Sequence, residues 1–295
     1  MTYQIISDGS CDLPSELTKE KQIHVVPFYV SFDDTHYYRE MEEINVRDFY
    51  QEMVDKDGIY PKTSLPSVQD YFDVFQSYAA RQIPMICICI TQKFSGSFGA
   101  AENAKELILE QYPDAQITVI DAQVNTVLQG IYVLEACRMR DAGFSYEDCI
   151  ARLLAIRSSG RIFFTVGDLD YLRHGGRIGK LAGLTGSLLG VKPLITLKEG
   201  EIFPSGIARG RKKSMLKVTD MLRQYILETF SDRSEYQLCI GYGYDVEEGA
   251  ELMAIAREKL GDLGVSDIPT YQIGATIGVH TGPYPIGFGI LRKAY

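Results

Sequence analysis

The first half of the chain alternates short apolar runs with longer stretches of helical spacing. Residues 84–90 (Pro-Met-Ile-Cys-Ile-Cys-Ile) are almost wholly apolar, as a parallel strand covered on both faces should be. In residues 97–111, Ala100, Ala104 and Ile108 recur at the spacing of one helix face. The pattern therefore predicts a buried strand that leads through a short loop into a helix.

The same two patterns recur along residues 1–140. Strands are predicted at residues 3–7, 24–32, 83–90 and 117–121, and helices at residues 46–54, 68–79, 97–111 and 126–140. Ser67 is placed to cap the second of these helices. This alternation of strands and helices predicts a Rossmann-like parallel sheet.

The second half has a different character. A helix is predicted at residues 146–158, a strand at 162–166, a hairpin of residues 191–197 and 201–204 around Glu199 and Gly200, a helix at 211–229, and a strand–helix unit at 238–242 and 246–261. The tail, residues 273–291, is rich in glycine and ends in a predicted strand. We therefore predict two α/β domains, a Rossmann-like N-terminal domain (residues 1–155) and a mixed α/β C-terminal domain (residues 156–295), with a ligand between or within them.

Composition narrows the compartment and the class of partner. The formal net charge of −9 argues against a general nucleic-acid binder. No apolar run is long enough to span a bilayer, and the N-terminus lacks the pattern of a signal peptide. The six cysteines contain no Cys-x-x-Cys pair, so we expect reduced thiols. We expect a cytoplasmic monomer that makes at most transient contact with membranes.

The most informative chemistry lies in two hydroxyl-rich segments. Residues 63–67 (Thr-Ser-Leu-Pro-Ser) are interpreted as a turn, and residues 94–97 (Phe-Ser-Gly-Ser) follow the apolar strand at the start of a helix. Hydroxyls and backbone N–H groups beside a helix N-terminus suit a carboxylate or phosphate, and ligands bind at the carboxyl ends of parallel strands. The alternative is that Ser95 and Ser97 only cap the helix.

Several common sites are absent or incomplete in the sequence. No Gly-x-Gly-x-x-Gly follows the first strand, and residues 175–180 (Gly-Gly-Arg-Ile-Gly-Lys) fail the phosphate-loop spacing. The four histidines, His24, His36, His174 and His280, are scattered without ligand-spaced partners, so no metal is expected. His280 lies between glycine-rich segments, where a helix-core position is not expected. It is interpreted either as a residue at the rim of an anion site or as a structural histidine.

In combination, eight segments resemble the DegV family. They occur in the family's order and span essentially the whole chain. They are residues 7–14 (Ser-Asp-Gly-Ser-Cys-Asp-Leu-Pro), 63–67, 94–97, 119–121 (Val-Ile-Asp), 169–178 (Leu-Asp-Tyr-Leu-Arg-His-Gly-Gly-Arg-Ile), 191–194 (Val-Lys-Pro-Leu), 208–213 (Ala-Arg-Gly-Arg-Lys-Lys) and 280–283 (His-Thr-Gly-Pro).

The resemblance implies a carrier that holds one long-chain fatty acid, such as palmitate or oleate, and presents its carboxylate to a fatty acid kinase in lipid transport or fatty acid metabolism. It implies no catalysis and no cofactor beyond the bound fatty acid. Thr63 and Ser95 would hydrogen-bond the carboxylate, with His280 and Arg177 near it. The supporting residues would be Ser64, Gly96 and Ser97.

Two other groups of residues have more than one interpretation. The basic segment of Arg209, Arg211, Lys212, Lys213 and Lys217 is interpreted as a docking patch for an acidic partner or as a solvated helix start. By resemblance the partner would be the kinase, with Arg209, Arg211 and Lys212 as the docking residues. Phe72, Phe75, Phe164 and Leu188 are candidates for the lining of an acyl tunnel, but the sequence does not distinguish them from core residues.

Two alternative functions remain at this stage. One is a serine-nucleophile acyl hydrolase in which His280 serves as the base for Ser95, although no Gly-x-Ser-x-Gly elbow is present. The other is a regulator that binds nucleic acid through the basic segment, whose affinity would depend steeply on salt.

Overall fold

The computed structural model of the chain describes residues 3–56, 58–183 and 190–295. Within them the strands are β1 (Gln4–Asp8), β2 (Ile23–Val26), β3 (Tyr29–Ser31), β4 (Tyr38–Arg39), β5 (Lys62–Ser64), β6 (Met85–Cys89), β7 (Ile117–Asp121), β8 (Arg161–Thr165), β9 (Val191–Lys198), β10 (Glu201–Arg209), β11 (Tyr236–Tyr242), β12 (Thr270–Gln272) and β13 (Ile286–Arg292). The α-helices are α1 (Ser15–Glu20), α2 (Val46–Asp55), α3 (Val68–Ala79), α4 (Ser97–Gln111), α5 (Thr126–Asp141), α6 (Tyr146–Arg157), α7 (Asp170–His174), α8 (Arg211–Thr229), α9 (Val246–Leu260) and α10 (Ala275–Thr281).

The N-terminal half contains the predicted parallel sheet, with strand order β2-β1-β6-β7. Every residue of β6 is buried. Ile86 and Ile88 face one core, and Cys87 and Cys89 face the other, which α3 and α4 cover. Burial on both faces explains why the strand has no polar positions.

The single strand predicted at residues 24–32 is wrong, because the chain forms two strands there. β2 belongs to the parallel sheet, whereas β3 pairs with β4 and β5 in a separate antiparallel sheet. Pro27 lies between β2 and β3, and a proline cannot donate to a strand ladder. β5 takes in Thr63 and Ser64, so the predicted turn is in part a strand, and Ser67 caps α3 as predicted.

The C-terminal half forms a six-stranded mixed sheet, with strand order β10-β9-β8-β13-β11-β12. The predicted hairpin is confirmed, and Glu199 and Gly200 both have positive φ at its turn. α8 and α9 cover one face of this sheet. The mixed α/β architecture, with a parallel sheet in the first half and a mixed sheet in the second, is as predicted, while the domain boundary at residue 155 stays a prediction.

α5 lies between the two sheets. Its side chains are buried along nearly its whole length, against the parallel sheet on one side and against β11 and β13 on the other. A helix that is buried on every side belongs in a core, here with Gln129, Glu135 and Arg140 buried among its apolar residues. The helix therefore holds the two sheets face to face with a layer of side chains between them.

The glycine-rich tail contains a helix, α10, that the sequence did not predict. Gly278 hides the helical pattern because it replaces a side chain where α10 crosses α2. A Cβ there would lie 2.8 Å from Tyr50 Oη. His280 therefore lies in the last turn of a helix, contrary to the expectation from its glycine-rich neighbours.

Candidate functional site

An apolar cavity lies between the two sheets, beside α5. Its volume is about 240 Å³, many times the ~10–15 Å³ that one water molecule needs. Both halves of the chain contribute apolar side chains to its wall. They include Phe28, Ile90, Phe94, Val127, Ile162, Phe164, Leu172, Leu197, Ile202, Ile273, Ile277 and Phe288.

Glycines replace side chains on the part of the wall formed by β11 and β13. Gly241 and Gly289 line the cavity where α5 crosses these strands. A Cβ on Gly289 would lie 2.6 Å from Cys239 Sγ and 3.0 Å from Leu128 Cβ. The helix therefore packs against bare backbone, and the cavity extends along it.

The four principal site residues predicted from the sequence line this one cavity. Thr63 comes from β5, Ser95 from the loop after β6, Arg177 from the segment after α7 and His280 from α10. Ser64 also lines the cavity. Residues far apart in the chain thus form a polar patch on an apolar wall.

Ser95 follows the carboxyl end of β6, two residues before α4 begins. Its Oγ accepts a hydrogen bond from the Ser97 backbone N–H at 3.2 Å, which leaves its O–H to donate to a ligand. The helix N-terminus beside it favours negative charge. The position therefore combines one hydroxyl donor with a favourable helix dipole.

Ser97 and Gly96, the two other predicted supporting residues, differ from Ser95. Neither lines the cavity. The Ser97 side chain is buried, and its Oγ donates to Asp8 Oδ2 at 2.7 Å and lies 2.6 Å from Tyr71 Oη. The Ser97 hydroxyl thus holds the parallel sheet to α3 and α4 and does not face a ligand.

Arg177 brings positive charge to the patch. Its Nε donates to the Phe94 carbonyl at 3.0 Å, and its Nη1 donates to the Gly175 carbonyl at 2.6 Å. The side chain is half-buried and pairs with no carboxylate among the described residues. Burial lowers its pKa from the usual value, yet a guanidinium stays charged. Its charge is thus uncompensated within the described part of the chain.

His280 is neutral. Burial, reinforced by the charge of Arg177, lowers its pKa to about 3. Its Nε2 lies 3.2 Å from Thr63 Oγ1, while Nδ1 is buried with no hydrogen-bond partner among the described residues. The ring therefore serves as a hydrogen-bonding group for Thr63 and carries no charge of its own.

The geometry of a serine hydrolase is not formed. Among the described residues, no hydrogen bond joins Ser95 to His280, whose Nε2 faces Thr63. No acidic side chain orients Nδ1. A base within reach of the nucleophile and a third group that orients the base are the signature of such a site.

The basic segment is divided in two. Arg211 makes two bonds to the Glu248 carboxylate at 2.6 and 2.5 Å and one to the Tyr284 carbonyl, so it belongs to the fold. Arg209 and Lys212 are exposed. Of the three residues predicted for docking, Arg209 and Lys212 are therefore available to a partner, and the neighbouring Lys213 and Lys217 are exposed as well.

Of the three tunnel candidates within the described residues, only Phe164 lines the cavity. Phe72 and Phe75 pack in the core between the parallel sheet, α3 and α4, and Leu188 lies outside the described residues. Thr126 and Thr276 also line the wall, although neither was predicted as a site residue. Thr126 has a φ of 50°, unusual for a β-branched residue, and no sequence signal marks it.

Two further kinds of feature are absent from the described residues. No group of three or more His, Cys, Asp or Glu side chains there could hold a metal ion. None of the helices described is long and apolar enough to cross a membrane.

Comparison with known proteins gives a consistent result. A model described as "Uncharacterised protein, DegV family" matches residues 2–293. A DegV domain-containing protein of Clostridium perfringens is 30% identical, covering 95% of this chain and 94% of its own.

Solved structures match over the whole length as well. A protein of Eubacterium ventriosum described as stearic-acid-binding is 45% identical, with a TM-score of 0.94 and coverage of 99% of both chains. A DegV family protein of Thermus thermophilus, described for its fatty acid binding, is 30% identical, with a TM-score of 0.87 and coverage of 99% of this chain and all of the other. The chain therefore belongs to the DegV family.

Proposed function

We propose that this protein binds one long-chain fatty acid non-covalently in the cavity, with the carboxylate at the polar patch formed by Thr63, Ser95, Arg177 and His280. The observation that carries the proposal is an uncompensated guanidinium on the wall of an otherwise apolar cavity. The descriptions of the Eubacterium and Thermus proteins support the same ligand class.

The polar patch suits a carboxylate better than a neutral group. Arg177 supplies charge, and Ser95 has an O–H left to donate. If the neutral His280 donates from Nε2 to Thr63 Oγ1, the Thr63 hydroxyl is turned towards the ligand. Charge-assisted hydrogen bonds of this kind are about twice as strong as neutral ones, and they offset the desolvation of the carboxylate.

The acyl chain would supply most of the affinity. Burial of roughly fourteen methylene groups at ~0.8 kcal/mol each contributes on the order of 11 kcal/mol before the costs of association are subtracted. A fatty acid such as palmitate or oleate should therefore remain bound through purification.

The role we infer is that of a carrier without catalysis of its own. The carrier would act as a cytoplasmic monomer in lipid transport or fatty acid metabolism and present the carboxylate to a fatty acid kinase. Exposed Arg209 and Lys212 are the part of the basic segment proposed to meet that kinase, because Arg211 is held by Glu248.

Native mass spectrometry of the purified protein, followed by organic extraction, tests the binding. We expect a stoichiometric adduct with the mass of a long-chain fatty acid. The variant T63A/S95A should lose most of it, whereas T196A/S205A should keep it. That control removes a hydroxyl pair that hydrogen-bonds at 2.7 Å between β9 and β10, away from the cavity. Full lipid in T63A/S95A would refute the head-group assignment.

A further inference from the structure

Two buried carboxyl groups lie behind the cavity wall. Asp12, in the turn after β1, and Glu40, beside β4, are 6% and 1% exposed. A Cβ added to Gly274 would lie 2.3 Å from Asp12 Oδ1 and 2.6 Å from Glu40 Oε1, so the two oxygens are at most 4.9 Å apart. Within the described part of the chain, neither carboxyl forms an ion pair.

The hydrogen bonds around the two groups are unequal. Glu40 Oε1 accepts the Thr276 backbone N–H at 3.0 Å, and Oε2 accepts the Thr276 hydroxyl at 2.5 Å. Asp12 Oδ2 accepts the Thr126 hydroxyl at 2.6 Å. Asp12 Oδ1 accepts no hydrogen bond of good geometry from any described residue, although the Gly274 backbone N–H lies near the Asp12 carboxyl. A proton on Oδ1 would remove one of two adjacent buried negative charges.

Among the described residues, no cation interacts with the pair. The titratable groups that interact with the pair are Asp8 and Cys11 from β1 and the turn after it, and Tyr50 from α2. Among the described residues, α5 and α10 present the hydroxyls of Thr126 and Thr276 and the backbone N–H groups at the start of α10, all of them uncharged. Burial, and then the neighbouring Glu40 charge, raise the pKa of Asp12 well above the usual value. Two carboxyls that share a buried site cannot both ionise.

The pair is connected to the cavity. Thr126 and Thr276 both line its wall while they donate to Asp12 and Glu40. Glu40 holds the first turn of α10, whose last turn carries His280. The acid pair thus joins the N-terminal half of the chain to the helix that places a head-group residue.

We propose that Asp12 and Glu40 share one proton, held by Asp12 Oδ1, and that this pair positions α10, so that loss of the proton at alkaline pH weakens ligand binding. The affinity part of this inference rests on the proposed fatty-acid binding. Ionisation of Asp12 would place two adjacent negative charges in the joint between β1 and α10. The population with α10 in place would then fall, and apparent affinity would fall with it.

Other groups do not account for an alkaline effect. His280 is already neutral above pH 6, because its pKa is about 3. Burial raises the pKa of Cys11 to about 12. Burial also raises the pKa of Tyr50 well above its usual value. A free carboxyl group such as that of palmitate ionises well below pH 6.

The test compares delipidated wild type, D12N and E40Q between pH 6 and 10, by binding of ¹³C-carboxyl-labelled palmitate and by thermal unfolding. We expect wild-type affinity to fall by about tenfold or more at the alkaline end. D12N should keep its neutral-pH affinity throughout, because its amide stays uncharged at every pH in this range. E40Q should be weaker at every pH, since Glu40 accepts two donors from Thr276.

The outcomes separate this inference from the proposed function. The inference is overturned if wild-type palmitate affinity does not change between pH 6 and 10. It is also overturned if the affinity of D12N falls with pH as steeply as that of wild type, or if E40Q abolishes the pH dependence and D12N does not. If no variant binds palmitate, the proposed function fails and the melting temperatures decide. The shared proton is supported if the melting temperature of D12N rises relative to that of wild type as pH increases. It is refuted if the difference between the two melting temperatures is the same at every pH.

Discussion

His280 Nε2 lies 3.2 Å from Thr63 Oγ1, so a helix close to the C-terminus is joined to a strand in the first quarter of the chain at the polar patch. The contact forms only when α10 and β5 are both in place. Because His280 is buried and neutral, it links the stability of this joint to pH.

Acidification should weaken the fold through His280. Burial and Arg177 lower its pKa from 6.5 to about 3, so the unfolded chain binds the proton first. The unfolding free energy therefore falls as pH drops from 6.5 towards 3, by about 2 kcal/mol at pH 5. Denaturant unfolding of wild type and H280Q at pH 7 and pH 5 measures this. A wild-type minus H280Q difference that is the same at both pH values would contradict it.

Ser95 and Ser97 should separate binding from stability. S95A removes a hydroxyl on the cavity wall and should reduce palmitate affinity with little change in melting temperature. S97A leaves buried Asp8 and Tyr71 each without one partner and should cost about 1–3 kcal/mol of stability. Its palmitate affinity should be unchanged. Equal effects of the two variants on affinity would show that the cavity wall is assigned wrongly.

Arg177 should matter for the ligand more than for the fold. R177M should lower palmitate affinity roughly 10- to 100-fold, the range for a hydrogen bond to a charged group. Its ligand-free form should unfold within about 1 kcal/mol of wild type, because loss of an unpaired, half-buried charge offsets the lost bonds to Phe94 and Gly175. R177K retains the charge and should be intermediate. Calorimetric titration and denaturant unfolding separate the two effects.

A side chain at Gly289 should destabilise the fold through a steric clash with Cys239, which a second substitution can remove. G289A places a Cβ 2.6 Å from Cys239 Sγ, and overpacking of this kind costs about 1–3 kcal/mol. C239A removes the sulfur, so the double variant G289A/C239A should be more stable than the sum of the single effects predicts. Additive losses in unfolding free energy would place the strain elsewhere, such as at Leu128.

The parts of the fold that the sequence predicted well are those where local pattern and tertiary environment agree. β6, buried on both faces, and α8, which starts at Arg211, are examples. Pro27 divides two strands that belong to different sheets, and apolar content alone does not reveal that division. α10 was not predicted, because Gly278 interrupts the helical pattern of side chains at the position where the helix packs closely on Tyr50.

The site was predictable in its hydroxyls but not in its partners. Thr63, Ser95, Arg177 and His280 were identified through the family resemblance and line one cavity. The roles of Ser97 and Arg211 depend on Asp8 and Glu248, which are distant in sequence. Phe164 faces the cavity and Phe72 does not. The difference depends on which face of its strand or helix each residue occupies and on what packs against that face, and the sequence alone does not give the second of these.

Docking to a fatty acid kinase should depend on Arg209 and Lys212 and not on Arg211 alone. R209E/K212E reverses two exposed charges and should slow association with the kinase, with an effect that shrinks as salt is raised. Palmitate binding should be unchanged, because neither residue lines the cavity.

The variant K19E/K56E makes the same change in net charge at other exposed positions and controls for general electrostatics. R211A should instead lower stability, since it leaves Glu248 without its partner. Kinetic binding measurements at two ionic strengths decide between these residues, and equal slowing by the control variant would remove the patch from the interface.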